Sequence, residues 1–295
     1  MASAREFAPA KINLTLRVVG RRADGYHDLD SLVVFAALGD TLTFAPGRML
    51  KLSVGGPTAL DAGPSSGNLI IKAADALAER VSRLKLGHFT LEKRLPVAAG
   101  LGGGSSDAAA ALRLLARANG IERDDPRLME AAHATGADVP VCLNPRPRVM
   151  RGIGDILSAP LDLPPLPALL VNPGVAVPTK DVFGALARRS EVVDGKSAVF
   201  GEARGSGARQ SMMELVSVLE AGANDLEPPA LSLQPVITDV LAALRDLDGC
   251  RIARMSGSGA TCFALFDSED AAKAAGIALR KQHAEWWIEP TILNS

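Results

Sequence analysis

The chain is short of rings. Its 295 residues hold eight Phe, two Trp and a single tyrosine, Tyr26, so aromatic residues make up 4% of the sequence. A site that stacks on a flat base needs aromatic faces, and here it must draw them from very few positions. Cysteine is as sparse. Cys142, Cys250 and Cys262 are odd in number, far apart and without a C-x-x-C pair, which excludes a disulfide framework and leads us to expect a reduced, cytoplasmic protein. The four histidines, His27, His88, His133 and His283, show no zinc-ligand spacing. No run of apolar residues is long enough to span a bilayer, and the apolar stretch 163–178 is broken by five prolines, so no membrane association is expected. Neither sign of charge is in excess: 32 basic against 33 acidic residues leave a net charge of −1. Without a basic surplus the electrostatic footprint of a nucleic-acid binder is missing. Arg5, Glu6 and Lys11 precede any apolar run, so no secretory signal is expected.

What is present reads as globular. Apolar residues make up 47% and charged residues 22%, and the length suits about two domains with cores of their own. Strand-like alternation runs from Ala10 to Val18, with Ile12, Leu14, Leu16 and Val18 facing one way and Lys11, Asn13, Thr15 and Arg17 the other. Further strands are expected at 29–38, 41–44, 49–54 and 88–93. A helix is expected over 68–81, with Asn68 as N-cap and Ile71, Ala74, Leu77, Ala78 and Val81 as its buried stripe. An Ala/Leu-rich helix follows over 105–119, stopped by Gly120. The Pro-rich stretch 145–167 marks the domain boundary, giving 1–158 and 159–295. Beyond it we expect a strand at 168–172, a helix opening at Thr179, a mobile polar loop over 190–210, helices near 211–220 and 235–246, strands at 250–255 and 261–266, a helix over 268–282 and a last strand near 286–292. Strands and helices in mixed order argue for an α+β fold in both halves.

The strongest chemical signal is the run Pro96-Val97-Ala98-Ala99-Gly100-Leu101-Gly102-Gly103-Gly104-Ser105-Ser106-Asp107. Four glycines in five positions let backbone N–H groups converge without side-chain obstruction, and the helix that follows adds its positive N-terminal dipole. Phosphate is the natural occupant, with Ser105 and Ser106 as hydroxyl contacts. The dinucleotide pattern G-x-G-x-x-G fails, because Ser105 stands where the third glycine belongs. Gly195-Lys196-Ser197 imitates the end of a Walker box, but Ser190 occupies the place of its first glycine.

Three weaker signals accompany it. Lys11 and Asn13 share one strand face, near the turn Asp24-Gly25-Tyr26-His27; alone they also fit the polar face of an edge strand. Asp138, in Gly136-Ala137-Asp138-Val139-Pro140, follows a glycine turn and precedes an expected apolar strand, so it reads either as a catalytic carboxylate or as a turn residue. Met255-Ser256-Gly257-Ser258-Gly259-Ala260-Thr261 offers a second set of backbone donors, at Gly257, Ser258 and Gly259, or a tight strand-to-strand turn.

Together these stretches resemble the GHMP kinase superfamily. Pro96–Asp107 is similar to its phosphate-binding motif, and Pro9–Leu14 and Met255–Phe266 to its first and third motifs. The resemblance implies a two-domain fold: an N-terminal ATP-binding domain like the second domain of a ribosomal protein, and a C-terminal ferredoxin-like domain, with the active site in the cleft between them. It also implies ATP as phosphoryl donor with Mg²⁺, Asp138 as general base, and Lys11 as the cation that polarises the acceptor oxygen or stabilises the transferring group. Asn68 and Lys93 fall where the family contacts adenine. The stretches at 24–27, 136–140, 171–174 and 224–228 narrow the resemblance to members that phosphorylate a cytidine-diphosphate sugar alcohol on the non-mevalonate route to isoprenoid precursors. By that resemblance Tyr26 and Phe183 clasp the cytosine, His27 hydrogen-bonds its edge, Thr179 approaches the sugar alcohol and Asn13 holds the acceptor. Taken singly, these residues equally suit a turn Tyr, a core Phe and an N-cap Thr. The resemblance implies small-molecule substrates and a monomer or weak homodimer. Two departures stand out: Arg151 occupies an acidic place, which leaves the magnesium ligands unassigned, and Ala98 and Ala99 replace glycines. A kinase for a smaller alcohol, such as homoserine, and a non-catalytic ATP sensor are the alternatives.

Overall fold

The computed structural model describes residues 3–59, 67–188 and 211–294. The expected loop 190–210 and the Walker look-alike lie outside the described residues. In chain order the elements begin with β1 (Ala4–Asn13), β2 (Arg17–Arg21), β3 (His27–Pro46), β4 (Lys51–Gly55), α1 (Leu69–Arg80), β5 (Gly87–Glu92) and α2 (Gly103–Asn119). Then come α3 (Pro126–Thr135), α4 (Val139–Leu143), β6 (Arg148–Gly152), β7 (Ile156–Leu157), β8 (Leu166–Asn172) and α5 (Thr179–Arg188). The chain finishes with α6 (Met212–Glu220), α7 (Glu227–Leu233), α8 (Val236–Arg245), β9 (Ile252–Met255), β10 (Cys262–Leu265), α9 (Glu269–Gln282) and β11 (Trp287–Leu293).

The chain divides into two compact units, each discontinuous in sequence. The first comprises 1–11, 38–97 and 102–145, and the second 12–37, 98–101 and 146–295. The cut at 145/146 opens the Pro-rich stretch, whereas the exchanges at 11/12, 37/38, 97/98 and 101/102 leave no trace in composition.

In the first unit β4 pairs parallel with β5, and β5 pairs antiparallel with the second half of β3. Alternation in β5 turns Phe89 and Leu91 inward and His88 and Thr90 outward. Phe89 meets its register partner Phe44 at 4.7 Å between ring centroids, and burying each such side chain is worth roughly 1.5–3 kcal/mol. β3 runs so close to β1 that a Cβ on Gly39 would lie 2.2 Å from the Ala8 carbonyl oxygen. Helices α1 to α4 pack together, α2 at their centre. Its Ala108–Leu112 segment is fully buried, and the run of small side chains lets its neighbours approach closely.

In the second unit four antiparallel strands lie in the order β11-β8-β10-β9, with α8 packed on β9 and β10 and α9 on β8 and β11. Val171, Leu241, Leu244, Ala264 and Phe266 belong to the shared core. Ser268 caps α9 by accepting the Ala271 N–H, with Glu269 and Asp270 in the first turn and Arg280 and Lys281 in the last, as the helix dipole favours. The first half of β3 pairs with β2 and β6.

Four local expectations change. The strand expected over 10–18 is β1 and β2 with a break between them, where the Leu14 and Leu16 N–H groups turn to the carbonyls of Leu32 and Ala223; Ile12, Leu14, Leu16 and Val18 are nonetheless all buried. The strands expected at 29–38 and 41–44 are one strand of 20 residues, β3. Helix α1 buries Ile70, Ala73, Ala74, Ala76 and Leu77, a face rotated from the expected stripe because it packs against both α2 and α3 and includes small alanines. The residues after Asp138 form α4 instead of a strand: Pro140 sits in its first turn, where a missing N–H costs nothing.

Candidate active site

The glycine run delivers a helix start. Gly102, at φ 61°, caps α2, and the helix opens at Gly103, two residues earlier than expected. The Ser106 N–H returns to the Gly102 carbonyl. The amides of Gly103, Gly104 and Ser105, one turn earlier, have no carbonyl within the helix to bind. They point outward at the positive end of the dipole, a ready site for phosphate oxygens.

Lys11 and Asp138 meet at this helix start. The Lys11 side chain runs past Gly102, where an added Cβ would sit 3.2 Å from its Cβ and 3.3 Å from its Cε. Its ammonium donates to Asp138 Oδ2 at 2.8 Å. Asp138 precedes α4, yet its side chain does not cap that helix, so the carboxylate is free for Lys11, and it is about a third exposed (35%) against 5% for the lysine side chain. A buried cation, a partly open carboxylate and a row of free amides are the parts that phosphoryl transfer requires. One turn along α4, burial pushes the Cys142 thiol up to about 12 and the Asp138 charge adds to the effect, so this cysteine is no nucleophile.

Asn68 and Lys93 lie in the same unit. The Asn68 carboxamide oxygen caps α1 by accepting the Ile70 N–H at 3.0 Å. The Lys93 ammonium is buried and donates to the carboxylates of Asp40 and Asp107.

The second unit gathers the remaining candidates. Asn13 is buried; its N–H donates to Ser256 Oγ at 3.1 Å and its side-chain amide to Ser31 Oγ at 2.7 Å, while its Oδ1 has no partner. Lys11 and Asn13 are thus both interior, which removes the edge-strand reading. Ser256 Oγ in turn donates to the Gly100 carbonyl at 3.1 Å. Gly100, at φ +75°, lies so close to the 256–259 turn that a Cβ would stand 2.3 Å from the Ser256 carbonyl oxygen. The Ala99 carbonyl accepts the Thr261 N–H. Two asparagines brace the turn: Asn224 donates to the carbonyls of Met255 and Gly257, and Asn172 to Thr261 Oγ1. Within the turn, Ser258 Oγ and Thr179 Oγ1 share a hydrogen bond of 2.9 Å.

His27 stacks on Phe183, and Tyr26, its neighbour in sequence, stands 60% exposed. Burial, then the charge of Arg21, hold the His27 imidazole below its ordinary 6.5, so it is neutral at neutral pH. Pairing of Arg151 with Asp30 across β6 and β3 at 2.9 Å accounts for the unexpected arginine. Asp40, Ser31 and the paired roles of Asn172 and Asn224 were not singled out in the sequence, because single polar residues whose partners lie far along the chain carry no periodic signal. No three His, Cys, Asp or Glu side chains converge on a metal site among the described residues, and none of their helices is long and apolar enough to cross a membrane.

Two family models match the chain, the GHMP kinases N terminal domain over residues 68–145 and the GHMP kinases C terminal over 206–285. The chain belongs to the GHMP kinases, ATP-dependent phosphotransferases, and it is a kinase. It is 56% identical to the 4-diphosphocytidyl-2-C-methyl-D-erythritol kinase of Rhodopseudomonas palustris over 98% of this chain and 97% of that one. It is also 56% identical to the enzyme of the same name from Xanthobacter autotrophicus, over 98% and 99%. Among solved structures, a 4-(cytidine 5'-diphospho)-2C-methyl-D-erythritol kinase superposes with a TM-score of 0.77 at 35% identity, covering 99% of this chain and all of that one. A homoserine kinase from Cytophaga hutchinsonii, at 21% identity and a TM-score of 0.71, shares the fold.

Proposed function

We propose that the chain transfers the terminal phosphoryl group of ATP to the 2-hydroxyl of 4-diphosphocytidyl-2-C-methyl-D-erythritol. The observation that carries this reading is the Lys11–Asp138 pair at 2.8 Å, with the lysine stem against the Gly102 cap of α2. Asp138 takes the proton of the acceptor hydroxyl as that oxygen bonds to the γ-phosphorus. The bond to the bridging oxygen breaks, and ADP leaves with the electron pair. Lys11 neutralises charge on the oxygens in transit, and the Gly103, Gly104 and Ser105 amides hold the phosphates, so that catalysis is positioning and electrostatics. Asn13 offers its unpartnered Oδ1 to an acceptor hydroxyl. The His27–Phe183 pair and Tyr26 serve the cytosine, and Thr179 the sugar alcohol. The 35%-identical neighbour, whose name specifies a cytidine-diphosphate substrate, supports that choice over a smaller alcohol.

Mg²⁺ neutralises phosphate charge when bound to ATP. The described residues do not build a cage for it, since no cluster of donors converges among them and the Asp138 carboxylate is engaged by Lys11. The ion accordingly belongs to the ATP substrate, held by phosphates and water. Coupled ADP release from the purified protein tests the assignment: turnover should require the diphosphocytidyl alcohol, and equal turnover with homoserine or mevalonate would overturn it.

A further inference from the structure

A buried charge cluster lies directly under the phosphate-holding turn, and the transfer chemistry makes no use of it. Lys93 follows β5, and its ammonium bridges Asp40, on β3, and Asp107 Oδ2, on α2, the latter at 3.0 Å. All three residues are buried. The other Asp40 oxygen accepts the N–H groups of Arg94 at 2.6 Å and Leu95 at 2.9 Å, where the chain leaves β5 for the glycine run. The cluster therefore ties the entry of the loop to the helix it feeds. Gly103 sits immediately above: a Cβ there would lie 3.4 Å from the Lys93 ammonium and 3.7 Å from the Asp40 carboxylate.

The charge count is uneven. Two carboxylates and one ammonium leave a net negative charge if all are ionised, and Asp107 Oδ1 and the neighbouring Ser106 Oγ are buried without partners. Burial raises the Asp107 carboxyl to about 7; Lys93 opposes the rise and Asp40 adds to it. Against burial, the two aspartates hold the Lys93 ammonium above its ordinary value. A proton on Asp107 makes the cluster neutral. Three cations on the surrounding elements are engaged elsewhere. Lys11 of β1 pairs with Asp138 before α4, Lys72 of α1 turns to the Thr135 carbonyl, and Arg113 of α2 pairs with Glu6. Cys142 of α4 is a neutral thiol, and the buried face of α3 (Leu128, Ala131, Ala132 and Thr135) carries no charge.

We propose that the Lys93–Asp40–Asp107 triad positions the first turn of α2 and, through its own net charge, sets how tightly that turn holds the phosphates of ATP. This rests on the reading of that turn as the ATP-phosphate site. Through its ammonium, held by the two aspartates, Lys93 then acts on the loop as a positioning residue. A negative triad in a poorly screened interior repels the anion that the amides attract, and a neutral one does not. By linkage, ATP binding must draw a proton onto the triad.

Calorimetric titration of the full chain with a non-hydrolysable ATP analogue, in buffers of different ionisation enthalpy, measures that proton. The wild type should take up protons near pH 7.5 in excess of the Asp107→Asn variant. The KM for ATP should rise roughly fivefold between pH 6 and pH 9 in the wild type and stay flatter in the variant, with the KM for the acceptor alike in both. Equal uptake and parallel KM profiles would overturn the proposal. Should Asp107→Asn fail to fold, the wild type decides alone: no net uptake at pH 7.5 overturns it. Analogue binding with the expected protons in a protein that does not phosphorylate the cytidylated alcohol would sink the substrate assignment and leave the triad standing, whereas no analogue binding at any pH overturns both.

Discussion

The Phe183 ring lies against the His27 imidazole, with centroids 4.9 Å apart and planes 22° from parallel. In a chain with so few rings this is the flat surface on which a pyrimidine can be read, and Tyr26 is the exposed ring next to it in sequence. Phe183→Ala should raise the KM for the cytidylated substrate roughly fivefold to a hundredfold, the range of a lost base–aromatic stack. Tyr26→Ala should act in the same direction, and neither should move the KM for ATP. Steady-state kinetics in both substrates checks this; an unchanged acceptor KM removes the ring concerned from base recognition.

His27 adds a pH signature to the same site. Its folded pKa lies below 6.5, so the imidazole stays neutral above that pH, with one ring nitrogen as donor and the other as acceptor. The KM for the cytidylated substrate should be flat from about pH 6.5 upward and should climb in acid as the second nitrogen gains its proton. His27→Gln, which keeps a donor and an acceptor but does not titrate, should flatten the acid limb. An acid limb that persists in the variant assigns the titration to another group.

Asp138 and Lys11 are expected to separate chemistry from nucleotide binding. Asp138→Asn keeps the shape of the side chain but cannot take a proton, so kcat should fall by about 10²–10⁴ while an ATP analogue still binds. Lys11→Met keeps the stem along Gly102 and removes the charge, and should cost kcat as well. Near-wild-type kcat in Asp138→Asn would refute the base role.

The sequence was most legible where one periodicity acted alone. Alternation in 10–18 placed Ile12, Leu14, Leu16 and Val18 inside although the strand itself breaks, because parity survives a short gap. Caps at Asn68 and Gly120 are local, and each bounds its helix where expected. Packing of α1 was not legible, since Ala73 and Ala76 are buried in a helix that packs on both α2 and α3, which no single-helix pattern contains. Nor was α4, where two valines beside Pro140 imitate a strand. In the candidate site, the glycine run was legible as the entry to a helix, which Gly102 caps. The stacking of His27 on Phe183 was not legible, because Tyr26 and His27 are adjacent and chain order does not say which ring meets the helix that carries Phe183. Asp40 and Asp107 were equally silent: their meeting at Lys93 depends on residues 53 and 14 positions away.

Gly100 should tolerate no side chain. It combines a φ of +75° with backbone atoms of the 256–259 turn inside the space of a Cβ, the Ser256 carbonyl oxygen at 2.3 Å and the Gly259 nitrogen at 2.9 Å. Neither neighbour can swing away as a flexible side chain would. The left-handed backbone alone costs alanine about 1–2 kcal/mol, and relief of the clash must separate the loop from the turn. Gly100→Ala should lower the thermal midpoint by several degrees or more and reduce kcat. By contrast Gly25→Ala, also at positive φ but with nothing within 4 Å, should lose only the backbone term. Equal losses in the two variants would show that the close approach at Gly100 carries no energetic weight.

The Asp107 carboxyl links stability to pH with a definite sign. Its pKa rises from 3.8 to about 7 on folding, so between these values the folded chain keeps a proton that the unfolded chain has released. Stability from this group is therefore fullest below about pH 4, declines as pH rises through the window and is constant above about pH 7. Asp107→Asn keeps an oxygen for Lys93 and deletes the titration. The stability of the variant relative to wild type should accordingly rise from pH 4 to pH 7 and then level off, as read from urea denaturation at fixed ionic strength. A difference that is constant across that range would mean that Asp107 is ionised throughout and that the triad carries its net negative charge at all working pH values. The pH dependence of ATP affinity argued from the triad would then fall with it.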